Sequence, residues 1–178
     1  MSTVEKFETI LFQGKATTDE ALKLFDELSA VDLAFVMGRW KGTGFHTHHR
    51  MDGLLETIGW YGKEFLSPDC VHPLLFSDGD QIYKVNPNPT AVNLGFSIDL
   101  PQKEMFKPLY RTMGKLFKTE ESKARVRMME YRGKLSATMI YDNLPINDIF
   151  RKVDDNTLLG LMDWKAMEHP FFFVLNRV

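Results

Sequence analysis

The apolar positions divide the chain into a helical first part and a long stretch governed by two-residue alternation. Ala21, Leu22, Phe25 and Leu28 fall on one side of a helix of 3.6-residue period, and Thr17 and Glu20 just before them have capping-box spacing. Ser29 and Asp32 repeat that spacing ahead of Leu33, Val36 and Met37, which predicts a second short helix, with Gly38 at a position suited to its C-cap. From Arg39 the period becomes two: Trp40, Gly42, Gly44 and His46 share one face, and Arg39, Lys41, Thr43 and Phe45 the other, as in a half-buried strand. Met51, Leu54, Leu55 and Ile58 return to helical spacing. Trp60 to Phe65 and Gln81 to Val85 read as short strands, with a loop around Ser67 to Pro73 between them. The run Asn86, Pro87, Asn88, Pro89 is turn chemistry, since each proline fixes φ and restricts the residue before it. Ala91 to Ile98 reads as a further strand. Met105, Leu109, Met113, Leu116 and Phe117 predict an inserted amphipathic helix near 105–117, with Pro108 suited to its first turn.

Beyond Ala124 four segments have strand length and composition: Ala124 to Tyr131, Gly133 to Tyr141, Thr157 to Trp164 and Phe171 to Arg177. Asp142 to Pro145 and Asp154 to Asn156 are the turn-rich breaks. Four successive strands predict an antiparallel sheet, and with the earlier strands it is large enough to curl and close into a barrel. The expected fold is therefore mainly β within the α+β class. It forms a single domain, 1–178, with a helical segment over 1–37 and the barrel over 38–178. Composition agrees with a compact globular chain: 178 residues, 44% hydrophobic and 26% charged, enough to bury a core without disulfides. Cys70 is the single cysteine and has no internal partner. With 22 Lys and Arg against 24 Asp and Glu, the net charge of −2 provides no overall attraction to nucleic acid. No apolar run is long enough to span a bilayer, and Met1 to Glu8 lacks a basic stretch followed by an apolar one. A cytoplasmic protein without integral membrane association is expected.

Gly38-Arg39-Trp40-Lys41-Gly42 is the most distinctive string: Gly38 permits a tight entry, Trp40 can plug one end of a rolled sheet, and Gly42 lets the strand bend. Further strings are Trp60-Tyr61-Gly62-Lys63, Tyr131-Arg132-Gly133, Tyr141-Asp142, the run Pro145 to Arg151, and Gly160-Leu161-Met162-Asp163. On these the sequence resembles the GXWXG-motif family, whose members join that segment to a C-terminal domain of unknown function. The G-x-W start is also similar to that of calycins, the superfamily of lipocalins and fatty-acid-binding proteins. That likeness implies a calycin-like barrel with a ligand cavity, and an arginine of the last strand packed over the first-strand tryptophan. Arg177 stands where that partner belongs, and a guanidinium over an indole contributes roughly 0.5–2 kcal/mol. The helical start and the 105–117 insertion depart from calycins. Nitrobindin-like calycins pair the same start with a histidine near the C-terminus, which places His169 in view for haem.

Several residues are candidates for chemistry. His46 and His48 share a strand face and could chelate an ion with Asp52 or His72, but no Cys or Glu stands at a familiar zinc spacing, so no metal and no cofactor is expected. A strand end in solvent and a polar or catalytic role for one histidine both remain open. Tyr141, Asp142, Asp148 and Arg151 lie close in sequence. Asp142 reads most simply as an Asx-turn and Asp148 with Arg151 as a local ion pair. Alternatively they line a cavity mouth, Asp148 as a base and Arg151 holding an anionic group. Met128, Met139, Met162, Phe171 and Phe173, with Leu135 and Leu158, are the expected inward-facing side chains. Ten methionines and fourteen phenylalanines would make an adaptable lining. Lys63, Arg125, Arg127 and Arg132 read as surface or rim residues, and Cys70 as a structural thiol. No nucleophile elbow, phosphate-binding loop or dinucleotide fingerprint is present. The leading expectation is binding of a small hydrophobic or amphipathic molecule: a lipid, an isoprenoid or an aromatic metabolite. The alternative is a cofactor-independent isomerase, cyclase or hydrolase using His46, Tyr141 and Asp148 in the same cavity.

Overall fold

The computed structural model describes residues 2–89 and 114–178. The expected strand over 91–98 and most of the expected helix near 105–117 lie outside the described residues. Four helices are described: α1 (Thr3–Gln13), α2 (Thr18–Glu27), α3 (Leu33–Val36) and α4 (Leu54–Ile58). The first half of the chain also supplies strands β1 (Ser29–Ala30), β2 (Gly38–Gly44), β3 (Trp60–Ser67), β4 (Cys70–Asp78) and β5 (Gln81–Lys84). The second half adds β6 (Ala124–Tyr131), β7 (Lys134–Tyr141), β8 (Ile146–Lys152), β9 (Thr157–Trp164) and β10 (Phe171–Arg177).

Local chemistry sets the helix ends. α2 opens on a complete capping box, with the Thr17 hydroxyl accepting from the Glu20 amide and the Glu20 carboxylate accepting from the Thr17 amide. α1 opens the same way through Ser2 and Glu5, a signal the apolar periodicity does not carry. Asp32, and not Ser29, caps α3, because Ser29 and Ala30 are drawn into β1 alongside β8. Gly38 is not a helix cap: Met37 closes α3, and Gly38, at φ +108°, begins β2.

The strands form one antiparallel ten-stranded sheet in the order β1-β8-β7-β6-β4-β3-β2-β10-β9, with β5 attached to β4 and a further ladder between β8 and β9. This corrects the calycin-like β-barrel expected from the sequence: the protein is a sheet-rich mixed α/β fold whose sheet branches at two strands. β8 has three neighbours, because β1 adds to it beside β7 and β9. β4 joins β6 through a single residue pair, Val71 with Ala124, and spends its other half on β5. Strands β4 and β8 are not among those the sequence pattern predicts. Pro73 interrupts the pattern of β4, and the polar Asn147, Asp148 and Arg151 disguise β8.

Two apolar cores flank the sheet. On its inner face Trp40, Phe65, Val126, Met139, Phe150 and Phe173 belong to one cluster. On the opposite face α1 and α2 bring Phe7, Leu24 and Phe25 against Ile149, Leu161 and Phe172. Strands β8 to β10 are thus buried on both sides, which is why β10 reads Phe-Phe-Phe-Val-Leu without alternation: Phe171, Phe173 and Leu175 face inward, and Phe172 and Val174 face the helices. No helix among the described residues is long and apolar enough to cross a membrane.

Candidate functional site

The inner face bounds a partly open cavity of about 240 Å³. Its wall takes Trp60 and Lys63 from β3, Leu74 and Phe76 from β4, Tyr141 from β7, Asp148 from β8, Met162 and Trp164 from β9, and Phe171 and Phe173 from β10. Among the described residues α4, the Val85 to Asn88 segment, Met51, Phe117, Leu144 and Ile146 also line it. Two glycines make room for the aromatic rings. A Cβ at Gly42 would lie 2.1 Å from the Trp60 ring, and one at Gly160 would lie 2.3 Å from the Phe173 ring. The second glycine of the Gly-x-Trp-x-Gly string therefore serves as the seat of the Trp60 indole. Trp60 in turn meets Phe173 edge to face at 5.8 Å.

A buried ion pair stands in this apolar wall. Lys63 Nζ lies 2.7 Å from Asp148 Oδ2, with both side chains almost wholly withdrawn from solvent. The ammonium also donates to the Pro73 carbonyl at 3.2 Å. Its remaining surroundings are rings, with Phe173 at 5.0 Å, Trp60 at 5.6 Å and Tyr141 at 5.7 Å. Strand irregularity brings it there. In strict alternation Trp60 and Lys63 would point to opposite faces, but the register of β3 against β4 shifts between Trp60 and Gly62, so both reach the cavity. A second shift, between Gly62 and Glu64, spans Pro73, whose carbonyl Lys63 takes up. Glu64 faces the other way and pairs with Arg39 at 2.6 Å.

The electrostatics follow from burial. Burial pushes the Asp148 carboxyl above the usual range, and the Lys63 ammonium opposes that shift. Burial, reinforced by the Asp148 charge, holds the Tyr141 phenol well above its ordinary value, so it stays protonated and available as a donor. Three buried polar atoms of this wall have no hydrogen-bond partner among the described residues: Asp148 Oδ1, Asn86 Oδ1 and Trp60 Nε1.

The other sequence candidates fall elsewhere. Met162, Phe171 and Phe173 line the cavity, whereas Met139 is buried in the core beside it. Met128, in the middle of β6, and Leu135, near the start of β7, are exposed, and Leu158 is buried. Arg151 is fully buried but faces α2: its guanidinium lies 4.6 Å from the Phe25 ring and donates to the Tyr131 carbonyl at 2.9 Å. Three residues separate it from Asp148 on a strand, so the two sit on opposite faces and form no ion pair. His46 is half-exposed and lies 3.6 Å from Glu56. Asp52 accepts from the Thr47 and His49 amides, holding a turn. Among the described residues no group of three His, Cys, Asp or Glu side chains could hold a metal. His169 is exposed in the turn before β10. Arg125 and Arg132 pair with Asp142 and Asp26, both at 2.6 Å, and Arg127 pairs with Asp69. Cys70 is a free, half-buried thiol. The Arg177 guanidinium lies 4.1 Å from the Trp40 ring and donates to the Phe35 and Met37 carbonyls, tying β10 to α3 across Gly38. Lys63 is the site residue that sequence reasoning misplaced. Its signal was Gly62 within a strand, a common mark of a bulge.

A sheet-rich α/β protein with a charge pair sealed into an apolar cavity is the class that the fold and site define. Residues 23–80 match the GXWXG protein family, and residues 122–177 match a domain of unknown function (DUF4334). The chain is a GXWXG-motif protein with that domain at its C-terminal end, and the motif itself is the first five residues of β2. It is also similar to a protein from Thermomonospora curvata of known crystal structure: 29% identity and a TM-score of 0.73, over 100% of this chain and 99% of that one. No curated protein matches the chain.

Proposed function

We propose that the protein binds a small, predominantly apolar molecule in this cavity, with Lys63, Asp148 and Tyr141 at the polar end of the site. The observation that carries this reading is the cavity itself: about 240 Å³ bounded mostly by aromatic and aliphatic side chains, with Lys63, Asp148 and Tyr141 close together in its wall. A pocket of that size holds about ten non-hydrogen atoms at ordinary packing density. A buried ion pair is a poor source of stability compared with apolar side chains of the same volume, and this supports a role for the pair in recognition. Cytoplasmic sequestration or transport of a small hydrophobic molecule fits these features. Trp60 and Trp164 both line the wall, so occupancy is readable in tryptophan emission. Titration with a panel of hydrophobic compounds of that size should shift the emission and raise the melting temperature, and native mass spectrometry should detect molecules that copurify. A protein that is empty as purified and unresponsive to the whole panel would refute the proposal.

A second reading, proton transfer within the same cavity, draws support from one observation: a carboxyl raised by burial stands next to a protonated phenol. Deuterium incorporation into a bound ligand at a carbon next to a carbonyl, lost in Asp148→Asn, is the outcome that would favour it.

A further inference from the structure

Resting on the reading of the cavity as a binding site, we infer that its ligand is electrically neutral and bears a hydroxyl group, a phenol or an alcohol, rather than the carboxylate head group of a fatty acid. The charge balance of the wall gives the first reason. Among the described residues Lys63 and Asp148 are its only charged members, and they cancel one another at 2.7 Å. A carboxylate brought into that space would meet Asp148 as a like charge with no cation left over, and an ammonium would meet Lys63 in the same way. Either leaves one uncompensated charge in an apolar cavity, which is strongly unfavourable.

The hydrogen-bonding capacity of the site gives the second reason. Lys63 is committed to Asp148 Oδ2 and to the Pro73 carbonyl, with rings around the rest of the ammonium. What the wall leaves unused among the described residues is of two kinds: acceptors, Asp148 Oδ1 and Asn86 Oδ1, and a donor, Trp60 Nε1, each buried without a partner. Tyr141, kept protonated by its surroundings, lines the same cavity as a further donor. A hydroxyl is the smallest neutral group that answers both needs, since it donates one hydrogen bond and accepts others. A hydrocarbon answers neither need, and a ketone or ether supplies no proton to Asp148.

Three probes of nearly equal shape separate these claims: para-isopropylphenol, para-isopropylbenzoate and cumene, titrated by tryptophan emission and calorimetry against the intact chain. Wild type is expected to bind the phenol at least tenfold more tightly than either of the others. Benzoate binding as tightly as the phenol, or cumene binding as tightly as the phenol, overturns the inference and leaves the cavity reading standing. Failure of all three defeats the cavity reading itself. Asp148→Asn leaves the Lys63 charge unopposed, so the ranking should invert, with benzoate gaining at least tenfold over the phenol. Should that variant not fold, Lys63→Met combined with Asp148→Leu removes both charges together. It should bind cumene as wild type does and favour the phenol over cumene by a much smaller factor than wild type, since Trp60 Nε1 and Tyr141 remain as donors. A phenol preference undiminished from wild type in this double variant would also overturn the inference.

Discussion

An ammonium group withdrawn from water loses several kcal/mol of hydration, and Lys63 recovers it from one carboxylate, one carbonyl and three ring faces. Each partner is consequently costly to remove. Lys63→Met would leave Asp148 buried with no counter-ion, and the expected loss at neutral pH is about 3–5 kcal/mol, the range for breaking a buried pair from one side. The loss should depend on pH in a definite direction. The Asp148 carboxyl is already raised in the folded state, and without the cation it rises further. A group whose folded value lies above its unfolded one contributes stability below the unfolded value and loses it as pH rises through the folded value. The deficit of Lys63→Met should therefore be smaller at about pH 5 than at about pH 8, as judged by urea denaturation of variant and wild type side by side. An equal deficit at both would mean that Asp148 is not the charge left stranded.

At the scale of the element, β8 shows both what patterning reveals and what it hides. Its inner side carries Ile146, Asp148 and Phe150 and its outer side Ile149 and Arg151, so each side mixes apolar with charged residues and the two-residue rhythm disappears. Strands β6, β9 and β10 and the capped start of α2 were legible, because each has either a clean run between turns or a side-chain signal at its end. Of the site, Tyr141, Asp148, Met162, Phe171 and Phe173 could be picked from the sequence, but Lys63 could not. Its inward direction depends on register shifts in β3, which only pairing with β4 fixes. Arg151 was visible as a residue while its face was not, since that depends on 146–152 being a strand and on α2 covering it. This assignment has a test. Arg151→Ala removes the guanidinium from the Phe25 ring and from the Tyr131 carbonyl, and should cost about 2–4 kcal/mol. Amide exchange in α1 and α2 should quicken, while affinity for a cavity probe stays within about twofold at temperatures where the variant is folded. A large loss of affinity with no change in helix exchange would return Arg151 to the binding site.

For the whole molecule, acid is the condition that sets the buried charges against the fold. Burial holds His49 and His72 below the ordinary histidine value; nearby Asp52 opposes this at His49, and Lys84 adds to it at His72. His49 also has a geometric reason to stay neutral, because its Nδ1 accepts from the Met51 amide at 3.2 Å and its ring lies 5.4 Å from Phe171. Both Met51 and Phe171 line the cavity, so protonating His49 would turn an acceptor into a donor facing an N–H at the wall of the site. The sign is set by which state takes up protons first. An unfolded histidine titrates near pH 6.5, and a folded one with a lowered value takes its proton only at lower pH. Through that window the unfolded chain holds more protons, so stability falls as pH falls from about 6.5. Asp148 acts in the opposite sense, binding its proton earlier in the fold than in the unfolded chain, which offsets part of the loss. Asp26, held low by its two hydrogen bonds from Arg132, adds a further loss only in the carboxylate range. The net expectation is a urea midpoint that declines between about pH 7 and pH 5 together with affinity for a cavity probe. Asparagine in place of His49 can present its carbonyl oxygen to the Met51 amide without titrating. His49→Asn combined with His72→Phe should therefore flatten the decline, and an undiminished slope in the double variant would show that the acid response arises elsewhere.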